Sequence, residues 1–273
     1  MKRKISVVTV TYNCRSVIED TINSVLMQDY SNKEYVIIDG SSTDGTLEII
    51  KKMALGKCIF VSEKDKGIFD AMNKSLDYVT GDYVIFMNAG DRFVNNHVLS
   101  DVFREYNGDD DLIYGDTYVL TKYGYRLKKA NPIYCKETQT PRDFVFLGQG
   151  ICHQSLFTRT TTLRKERFNL DYPLGADYDT TARVYKNGNH HLKYCEVPVA
   201  VFDDREGGVS HYKEVQVFKE RIKMFGYRPT VIDNCIIYYK MLLSRTKCLA
   251  ERLFPFFVGK YRKRKYSKKL QCL

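Results

Sequence analysis

Carboxylates and amides follow the apolar runs in the N-terminal half of this chain. The run Tyr83–Met87 opens directly onto Asn88, Ala89, Gly90 and Asp91. Asn, Gly and Asp are also ordinary turn residues, so this segment alone does not separate a turn from a binding site. An Asp at a strand end is, however, a hard oxygen ligand of the kind that Mg²⁺ or Mn²⁺ shares with substrate phosphates. We therefore expect Asp91 to bind a divalent cation that arrives with a phosphorylated substrate.

Three earlier apolar runs end in the same kind of residue. The runs KISVVTV, EYVIID and CIFVS are typical of strands buried on both faces. The polar residues at their ends are Thr11, Tyr12 and Asn13; Asp39, Ser41 and Asp44; and Glu63, Asp65 and Gly67. Because ligands bind outside the carboxyl ends of the strands in an open α/β sheet, these residues predict a nucleotide site. The chain has neither a G-x-G-x-x-G nor a G-x-x-x-x-G-K-[ST] loop, so a cation is the expected means of holding the phosphates.

The elements that must position these residues alternate between strand and helix as far as about residue 106. This alternation predicts an α/β fold with a mostly parallel open sheet and helices on both faces. After residue 110 the pattern predicts strands in DLIYGDTYVL and CHQSLF, a long loop over 129–150, and a helix in ADYDTTARVYKNG. Residues 1–225 are expected to form one domain, followed by a helical basic tail over 226–273.

The positive charge is concentrated in that tail. The chain has a net charge of +10, and residues 240–273, with eleven Lys or Arg and one acid, account for all of it. Their mixture of apolar and basic residues is typical of a helix that lies on an anionic membrane surface and is followed by a polybasic segment. The rest of the chain is neutral and carries no nucleic-acid motif, which argues against a nucleic-acid partner.

Cysteine spacing and hydropathy argue against several classes of protein. The eight cysteines form no C-x-x-C pair, and no uncharged apolar run reaches 18 residues. Neither a zinc knuckle, a disulfide framework nor a membrane-spanning helix is therefore predicted. We expect a reducing, cytoplasmic location, with the protein peripheral on the inner face of the plasma membrane.

Five motifs in order resemble those of the family 2 glycosyltransferases of the GT-A fold. They are SVVTVTYN, VIIDGSSTDGT, SEKDKGIFDAMNKSL, YVIFMNAGD and GADYDTTARVYKNG, within residues 4–210. The similarity is to bacterial enzymes that build capsule, exopolysaccharide and O-antigen units. The resemblance implies an inverting transfer of a sugar from a nucleotide-diphosphate-sugar, with UDP favoured, to a hydroxyl of a glycan or polyprenyl-linked saccharide. It also implies a nucleotide-sugar-binding half over 1–110 and an acceptor and catalytic half over 111–225.

The resemblance assigns most of the strand-end residues to the donor. Those implied to bind the nucleotide or the donor sugar are Thr11, Tyr12, Asn13, Asp39, Ser41, Asp44, Glu63, Asp65, Gly67, Asp70, Lys74, Asn88 and Ala89. Asp91 matches the final, metal-binding acid of the family's D-x-D signature. The chain departs from that signature because Asn88 replaces its first acid and Gly90 occupies a position that is often acidic. The implied cofactor is Mn²⁺ or Mg²⁺.

The same resemblance supplies roles in the second half of the chain. Asp177 aligns with the family's catalytic base, although a carboxylate at a helix start is also a good cap. Arg183, on the same helix, is implied to reach the diphosphate, or else to form a surface salt bridge. The residues implied to lie on the acceptor side are His153, Gln154 and Asp116. His211 is a possible further metal ligand, in a glycine-rich loop that would close over the donor.

Two other classes of function remain open at this point. A sugar-phosphate nucleotidyltransferase uses a related sheet, but would normally show an N-terminal glycine-rich signature followed by basic residues, and VTVTYN has none. A non-catalytic module that binds a nucleotide sugar is the other alternative. The presence of both Asp91 and Asp177 speaks against it, whereas the altered D-x-D signature keeps it open.

Overall fold

The first four strands form the parallel part of the sheet, in the order β3-β2-β1-β4. A computed structural model describes residues 2–135, 139–188, 191–205 and 213–253. The strands are β1 (Ile5–Thr11), β2 (Lys33–Asp39), β3 (Ile59–Ser62) and β4 (Tyr83–Phe86). The helices between them are α1 (Ile18–Leu26), α2 (Thr46–Ala54) and α3 (Ile68–Ser75). The predicted alternation is confirmed here.

The sheet continues beyond β4 in the order β8-β6-β9-β5, and the strand β8 is antiparallel to both β4 and β6. The strands of this part are β5 (Arg92–Phe93), β6 (Leu112–Thr121), β7 (Gly124–Lys128), β8 (Leu156–Arg159) and β9 (Leu192–Asp203). The helices are α4 (Val98–Phe103), α5 (Pro141–Leu147), α6 (Thr160–Glu166) and α7 (Ala176–Asn187). β5 pairs with β9 in the antiparallel sense, and β7 pairs with β6.

Two predictions for this half were wrong. The expected loop over 129–150 contains α5, which begins because Thr140 and Asp143 form a reciprocal capping box around Pro141. In CHQSLF the strand starts only at Leu156, because the three preceding residues form a 3₁₀ turn. The predicted helix in ADYDTTARVYKNG is confirmed as α7.

Apolar side chains cover both faces of the parallel strands. On one face Ile5, Ile37 and Ile85 pack into a core with Ile22 of α1 and Phe103 of α4, all fully buried. Each such side chain contributes about 1.5–3 kcal/mol when it leaves water. On the other face the ring of Phe86 meets that of Phe168 edge-on, with centroids 5.4 Å apart. With both faces buried, the register of the strands is set, and their carboxyl ends align.

The chain divides into two compact units. The first contains residues up to 118, 128–130 and 151–202, and includes the parallel strands and α7. The second contains 119–127, 131–150 and the residues from 203 onward. The segment with α5 thus groups with the C-terminal helices, and the domain boundary after residue 225 stays a prediction.

The second unit contains α5, α8 (Glu214–Met224) and α9 (Val231–Leu253). Asp233 fixes the start of α9, since it accepts hydrogen bonds from Thr230 N–H and Oγ1 and from Tyr227 Oη. The Arg142 Nε group of α5 also donates to it, at 2.9 Å. Within the described ranges, no helix is long and apolar enough to cross a membrane. The polybasic residues 260–269 lie outside the described residues.

Candidate functional site

The segment after β4 forms a tight turn at the carboxyl edge of the sheet. The Asp91 N–H donates to the Asn88 carbonyl at 2.9 Å, and Gly90 has a φ of +101°, which favours glycine. The Ala89 N–H donates to the Val10 carbonyl of β1 at 3.2 Å, so the turn continues the β1–β4 pairing. Asn88 and Asp91 are 8% and 5% exposed. The turn thus presents an amide and a carboxylate beside the end of β1.

His153 connects this turn to α7. Its Nε2 lies 3.0 Å from Asn88 Nδ2, and its Nδ1 lies 3.5 Å from Asp177 Oδ2 in the first turn of α7. Burial acts to lower the pKa of His153, but the hydrogen bond and charge of Asp177 and the charge of Asp91 outweigh it, so that this pKa is raised. The imidazole therefore joins the predicted donor side to the predicted base through two contacts.

An apolar cavity lies beside this chain of contacts. His153 and Asp177 line it together with Met72, Phe86 and Phe168. Apolar walls keep the local dielectric low, which strengthens the interaction between the imidazole and the carboxylate. The His153 side chain is 24% exposed, so most of the ring is shielded from solvent.

The turn offers oxygen atoms suited to a divalent cation. Asn88 Oδ1 is buried and accepts no hydrogen bond from the described residues, and such an orphaned acceptor calls for a water or an ion. No group of three or more His, Cys, Asp or Glu in the described ranges is arranged to hold a metal alone. Mg²⁺ and Mn²⁺ need fewer protein ligands, because one or two carboxylates and the substrate phosphates complete their shell. The Asp91 carboxylate and the Asn88 amide oxygen fit such a shared site.

The ends of β1 and β2 lie together as predicted. The Gly40 N–H donates to the Thr11 carbonyl at 2.9 Å, and the neighbouring Tyr12 ring is 61% exposed. Asn13 and Ser41 have φ values of +50° and +65°, in the left-handed region that non-glycine residues rarely adopt. Such strain is found at functional sites, where the surrounding structure holds it in place.

Asp39 is fully buried, and its carboxylate is already well occupied. It accepts hydrogen bonds from Ser42 N–H at 2.9 Å, Ser42 Oγ at 2.5 Å and Ser62 Oγ at 2.7 Å. A carboxylate has about four acceptor positions, and three of them are occupied by these bonds. The Asp44 carboxylate caps α2 through Thr46 and accepts the Arg15 N–H at 3.0 Å, and these bonds lower its pKa.

The residues at the end of β3 form a surface network. Lys74 Nζ pairs with Glu63 Oε1 at 2.9 Å and with Asp70 Oδ2 at 3.8 Å, and these contacts raise the pKa of Lys74. Asp65 Oδ1 accepts the Gly67 N–H at 2.8 Å. A Cβ on Gly40 would lie 2.5 Å from the other Asp65 oxygen. Gly40 is thus the residue that lets the ends of β2 and β3 approach one another.

Arg183 forms salt bridges of the kind given as its alternative role. Its Nε donates to Asp179 at 2.9 Å, one terminal nitrogen donates to Glu166 Oε2 at 2.7 Å, and the other to the Arg167 carbonyl at 2.7 Å. The two terminal nitrogens join α7 to the end of α6, whereas the Nε contact stays within α7. These are salt bridges of the kind given as the alternative role of Arg183, and its approach to a diphosphate stays a prediction.

Two of the three predicted acceptor-side residues are buried, Asp116 in β6 and Gln154 in the turn before β8. Asp116 accepts the Ala130 N–H at 2.9 Å, and burial, with the hydrogen bond to Asp116, raises the pKa of Tyr194 to about 12. Gln154 is also buried. These contacts give Asp116 a structural role, whereas His153 reaches the site. His211 and the loop around it lie outside the described residues.

One residue of the site had no signal in the sequence. Thr21 of α1 donates its hydroxyl to the Asp91 carbonyl at 2.7 Å and accepts the Gly90 N–H at 3.0 Å. A threonine in an amphipathic helix is unremarkable by type, and 70 residues separate it from Asp91. Only an expected contact between α1 and the β4 turn could have identified it.

Comparisons with known proteins support the resemblance of the five motifs. A family model described as "Glycosyl transferase family 2" matches residues 6–186. The "PGL/p-HBAD biosynthesis glycosyltransferase" of Mycobacterium bovis (strain BCG / Pasteur 1173P2) is 29% identical over 225 residues, which cover 80% of this chain and 84% of that protein.

Two solved structures show the same fold. S. aureus TarS 1–349 in complex with UDP gives a TM-score of 0.59 at 20% identity, over 81% of this chain and 64% of that one. The mannosyltransferase PcManGT from Pyrobaculum calidifontis, in complex with GDP-Man and Mn²⁺, gives 0.58 at 16% identity, over 97% and 84%. The fold is therefore the GT-A fold, and the resemblance of the five motifs is confirmed. Because the family model covers more than half of its residues, the chain belongs to glycosyl transferase family 2.

Proposed function

We propose that this protein is an inverting glycosyltransferase that uses a nucleotide-diphosphate-sugar, with a UDP-sugar favoured. The observation that carries the proposal is the contact chain from Asn88 through His153 to Asp177. It joins a turn suited to a cation and a diphosphate to a carboxylate suited to activate an acceptor. The UDP in TarS and the GDP-Man in PcManGT support a nucleotide donor.

The donor would lie along the carboxyl ends of the parallel strands. The exposed Tyr12 ring and Asp39 would be nearest the base, with Thr11 and Asn13 beside them. Asp91 and Asn88 Oδ1 would hold Mn²⁺ or Mg²⁺ together with the diphosphate. When bound, such a cation neutralises the charge that develops on the leaving diphosphate.

Asp177 is the proposed general base. Its carboxylate accepts the proton of an acceptor hydroxyl as the hydroxyl oxygen bonds to the anomeric carbon. The bond between that carbon and the diphosphate oxygen breaks, and the nucleoside diphosphate leaves with the electron pair. Attack from the face opposite the leaving group inverts the configuration. The contact with His153 orients the carboxylate, which is the positioning that general-base catalysis requires.

The acceptor is proposed to be a glycan or a polyprenyl-linked saccharide in cell-surface polysaccharide synthesis, of the capsule or O-antigen type. Helix α9 supports a membrane location, because its exposed apolar residues fall within about 140° of the helical wheel. They are Val231, Ile232, Tyr238, Tyr239, Leu242, Leu243, Leu249 and Leu253. Together with the basic residues of 240–273, this stripe suits a helix lying on the anionic inner face of the plasma membrane.

Calorimetric titration of the full chain with UDP, GDP, CDP and dTDP, with and without Mn²⁺, tests the donor site. We expect one nucleotide to bind, only with Mn²⁺, and Asp91→Ala to abolish this binding. Asp177→Asn is the matched control: it should keep nucleotide binding but lower turnover by about 10²–10⁴-fold. Binding that survives Asp91→Ala without metal would remove the cation from the proposal, and binding of no nucleotide would refute the donor site.

Product analysis separates the three classes of function. With a nucleotide-sugar donor and a saccharide acceptor, a glycosyltransferase yields a glycoside with inverted anomeric configuration. A nucleotidyltransferase would instead form a nucleotide sugar from a sugar phosphate, and a binding module would form no product. Detection of either of the latter results would contradict the proposal even if nucleotide binding were confirmed.

A further inference from the structure

Helix α1 presents a row of hydrogen-bonding side chains to the backbone that follows β4. Thr21 Oγ1 donates to the Asp91 carbonyl at 2.7 Å and accepts the Gly90 N–H at 3.0 Å. One turn later, Ser24 Oγ accepts the Phe93 N–H at 3.3 Å. These spacings follow from the helical period, which places residues three or four apart on one side of the helix.

Gln28 extends the row. Its Nε2 donates to the Asn95 carbonyl at 2.6 Å, and its Oε1 accepts the Leu99 N–H at 3.2 Å. The side chains of α1, with Gln28 just beyond its end, therefore supply hydrogen-bond partners to backbone groups of the segment between β4 and α4. Thr21 is the member of the row that reaches the turn with the candidate cation ligand.

Thr21 hydrogen-bonds to the turn at Gly90, the residue with a left-handed backbone conformation. Gly90 has a left-handed φ of +101°, and a Cβ there would lie 3.7 Å from Val17 of the same helix. The turn has one internal hydrogen bond, from Asp91 N–H to the Asn88 carbonyl. The fully buried Thr21 hydroxyl adds two more that water does not contest, so it fixes the peptide group before Gly90 and the peptide group after Asp91, on the two sides of the Gly90–Asp91 pair.

We propose that Thr21 is a positioning residue for the cation site: its hydroxyl holds the backbone of Asp91 so that the carboxylate meets the cation and the diphosphate without reorganisation. This inference rests on the proposed function in one respect, namely that Asp91 binds the cation. Thr21 itself touches neither substrate nor metal. Outer residues that orient metal ligands typically change metal affinity by about 10–100-fold when they are removed.

Two pairs of variants isolate the hydroxyl. Thr21→Val differs from the wild type by one oxygen-for-methyl exchange, and Thr21→Ala differs from Thr21→Ser by one oxygen. Thr9→Val is the matched control, because the fully buried Thr9 hydroxyl also donates to a carbonyl of this segment, that of Met87, at 2.7 Å. Mn²⁺ affinity is measured on the full chain from the paramagnetic resonance of free Mn²⁺, with UDP and, in parallel, with GDP. Thermal unfolding of each variant is recorded alongside.

We expect Thr21→Val and Thr21→Ala to weaken Mn²⁺ binding by about tenfold or more, and Thr21→Ser to bind close to the wild type. Thr9→Val should lower the melting temperature but keep the Mn²⁺ affinity. If Asp91→Ala weakens Mn²⁺ binding while Thr21→Val and Thr21→Ala do not, the inference fails and the proposed cation site stands. If Asp91→Ala has no effect, the cation site itself fails. Equal losses in Thr9→Val and Thr21→Val would show general loosening and overturn the role of Thr21. Should Thr21→Val not fold, the Ala and Ser pair decides alone.

Discussion

The Glu34 carboxylate fastens the parallel sheet at the edge opposite the candidate site, and Glu34→Gln should loosen it. Glu34 of β2 accepts hydrogen bonds from Ser6 Oγ of β1 at 2.5 Å and from Thr80 Oγ1 at 2.6 Å. The N–H groups of Thr80 and Gly81, just before β4, also donate to it, and Lys4 Nζ lies 2.6 Å away. One side chain thus joins β1, β2 and the start of β4.

The loss of folding free energy expected for Glu34→Gln follows from the pKa of this carboxyl. Burial acts to raise it, but hydrogen bonds from Lys4, Ser6 and Thr80 outweigh burial and lower the pKa of Glu34 from 4.5 to about 2. This lowering of the pKa by about 2.5 corresponds to roughly 3.4 kcal/mol of stabilisation of the folded protein. Because the Lys4 side chain is 38% exposed, solvent screens the pair, and we expect roughly 1–2 kcal/mol.

Because the pKa of Glu34 is lowered in the folded protein, its contribution to stability is lost at acid pH. The charged form is favoured by folding, so the stabilisation is complete above pH 4.5 and is lost as the pH falls through about 2. Urea unfolding of the wild type and Glu34→Gln, followed by circular dichroism, should show the difference near neutral pH. That difference should shrink between about pH 5 and pH 2. The exposed Glu48→Gln on α2 controls for the change in charge.

Two results would refute this reasoning. A difference below about 0.5 kcal/mol near neutral pH would place Glu34 among ordinary surface residues. A difference that stays constant down to the acid limit would show that the charge of Glu34 is not its cause. Nucleotide binding by Glu34→Gln should be unchanged after correction for the unfolded fraction. The reason is that the contacts of Glu34 and the candidate site lie at opposite ends of the strands.

Three further predictions concern the site, the sheet and the tail. Asp177→Asn removes the hydrogen bond and charge that raise the pKa of His153, so this pKa, followed by NMR of the imidazole, should fall; an unchanged value would contradict the contact. Gly115→Ala should destabilise the fold by about 1–3 kcal/mol in urea unfolding, because its Cβ would collide with the Val197 carbonyl; a variant as stable as the wild type would contradict the close approach of β6 and β9. Leu242→Glu should reduce co-sedimentation with phosphatidylglycerol vesicles by about tenfold or more without changing nucleotide binding, whereas equal sedimentation would exclude the α9 stripe as the lipid contact.

Much of the parallel half could be predicted from the sequence, because its signals are local. Continuous β-branched runs such as KISVVTV, followed by Gly, Asn and Asp, indicate buried strands and the turns at their ends. The short helices α5 and α6 were missed because neither PRDFVFL nor TTTLRKE shows a helical stripe of apolar residues. Their starts depend on contacts such as the capping box of Thr140. The antiparallel placement of β8 beside β4 was also beyond a local pattern.

The candidate site could likewise be predicted only in part from the sequence. The residue types at the strand ends, from Thr11 to Asp91, could be identified from spacing and resemblance. Which side chains neutralise one another could not. Arg183 and Asp177 lie on one helix, yet Arg183 joins Asp179 and Glu166, whereas Asp177 meets His153. That choice depends on how α6, α7 and the turn before β8 pack.

The sequence by itself thus determined the order of strands and helices in the first half, the residues at the carboxyl edge and the basic end of the chain, since these follow from periodicity and composition. The tertiary structure alone decided that His153 stands between Asn88 and Asp177 and that Thr21 holds the Asp91 turn. The physical reason is separation along the chain: these contacts join residues 24 to 70 positions apart, and packing of the sheet and its helices brings them within hydrogen-bonding distance or close to it.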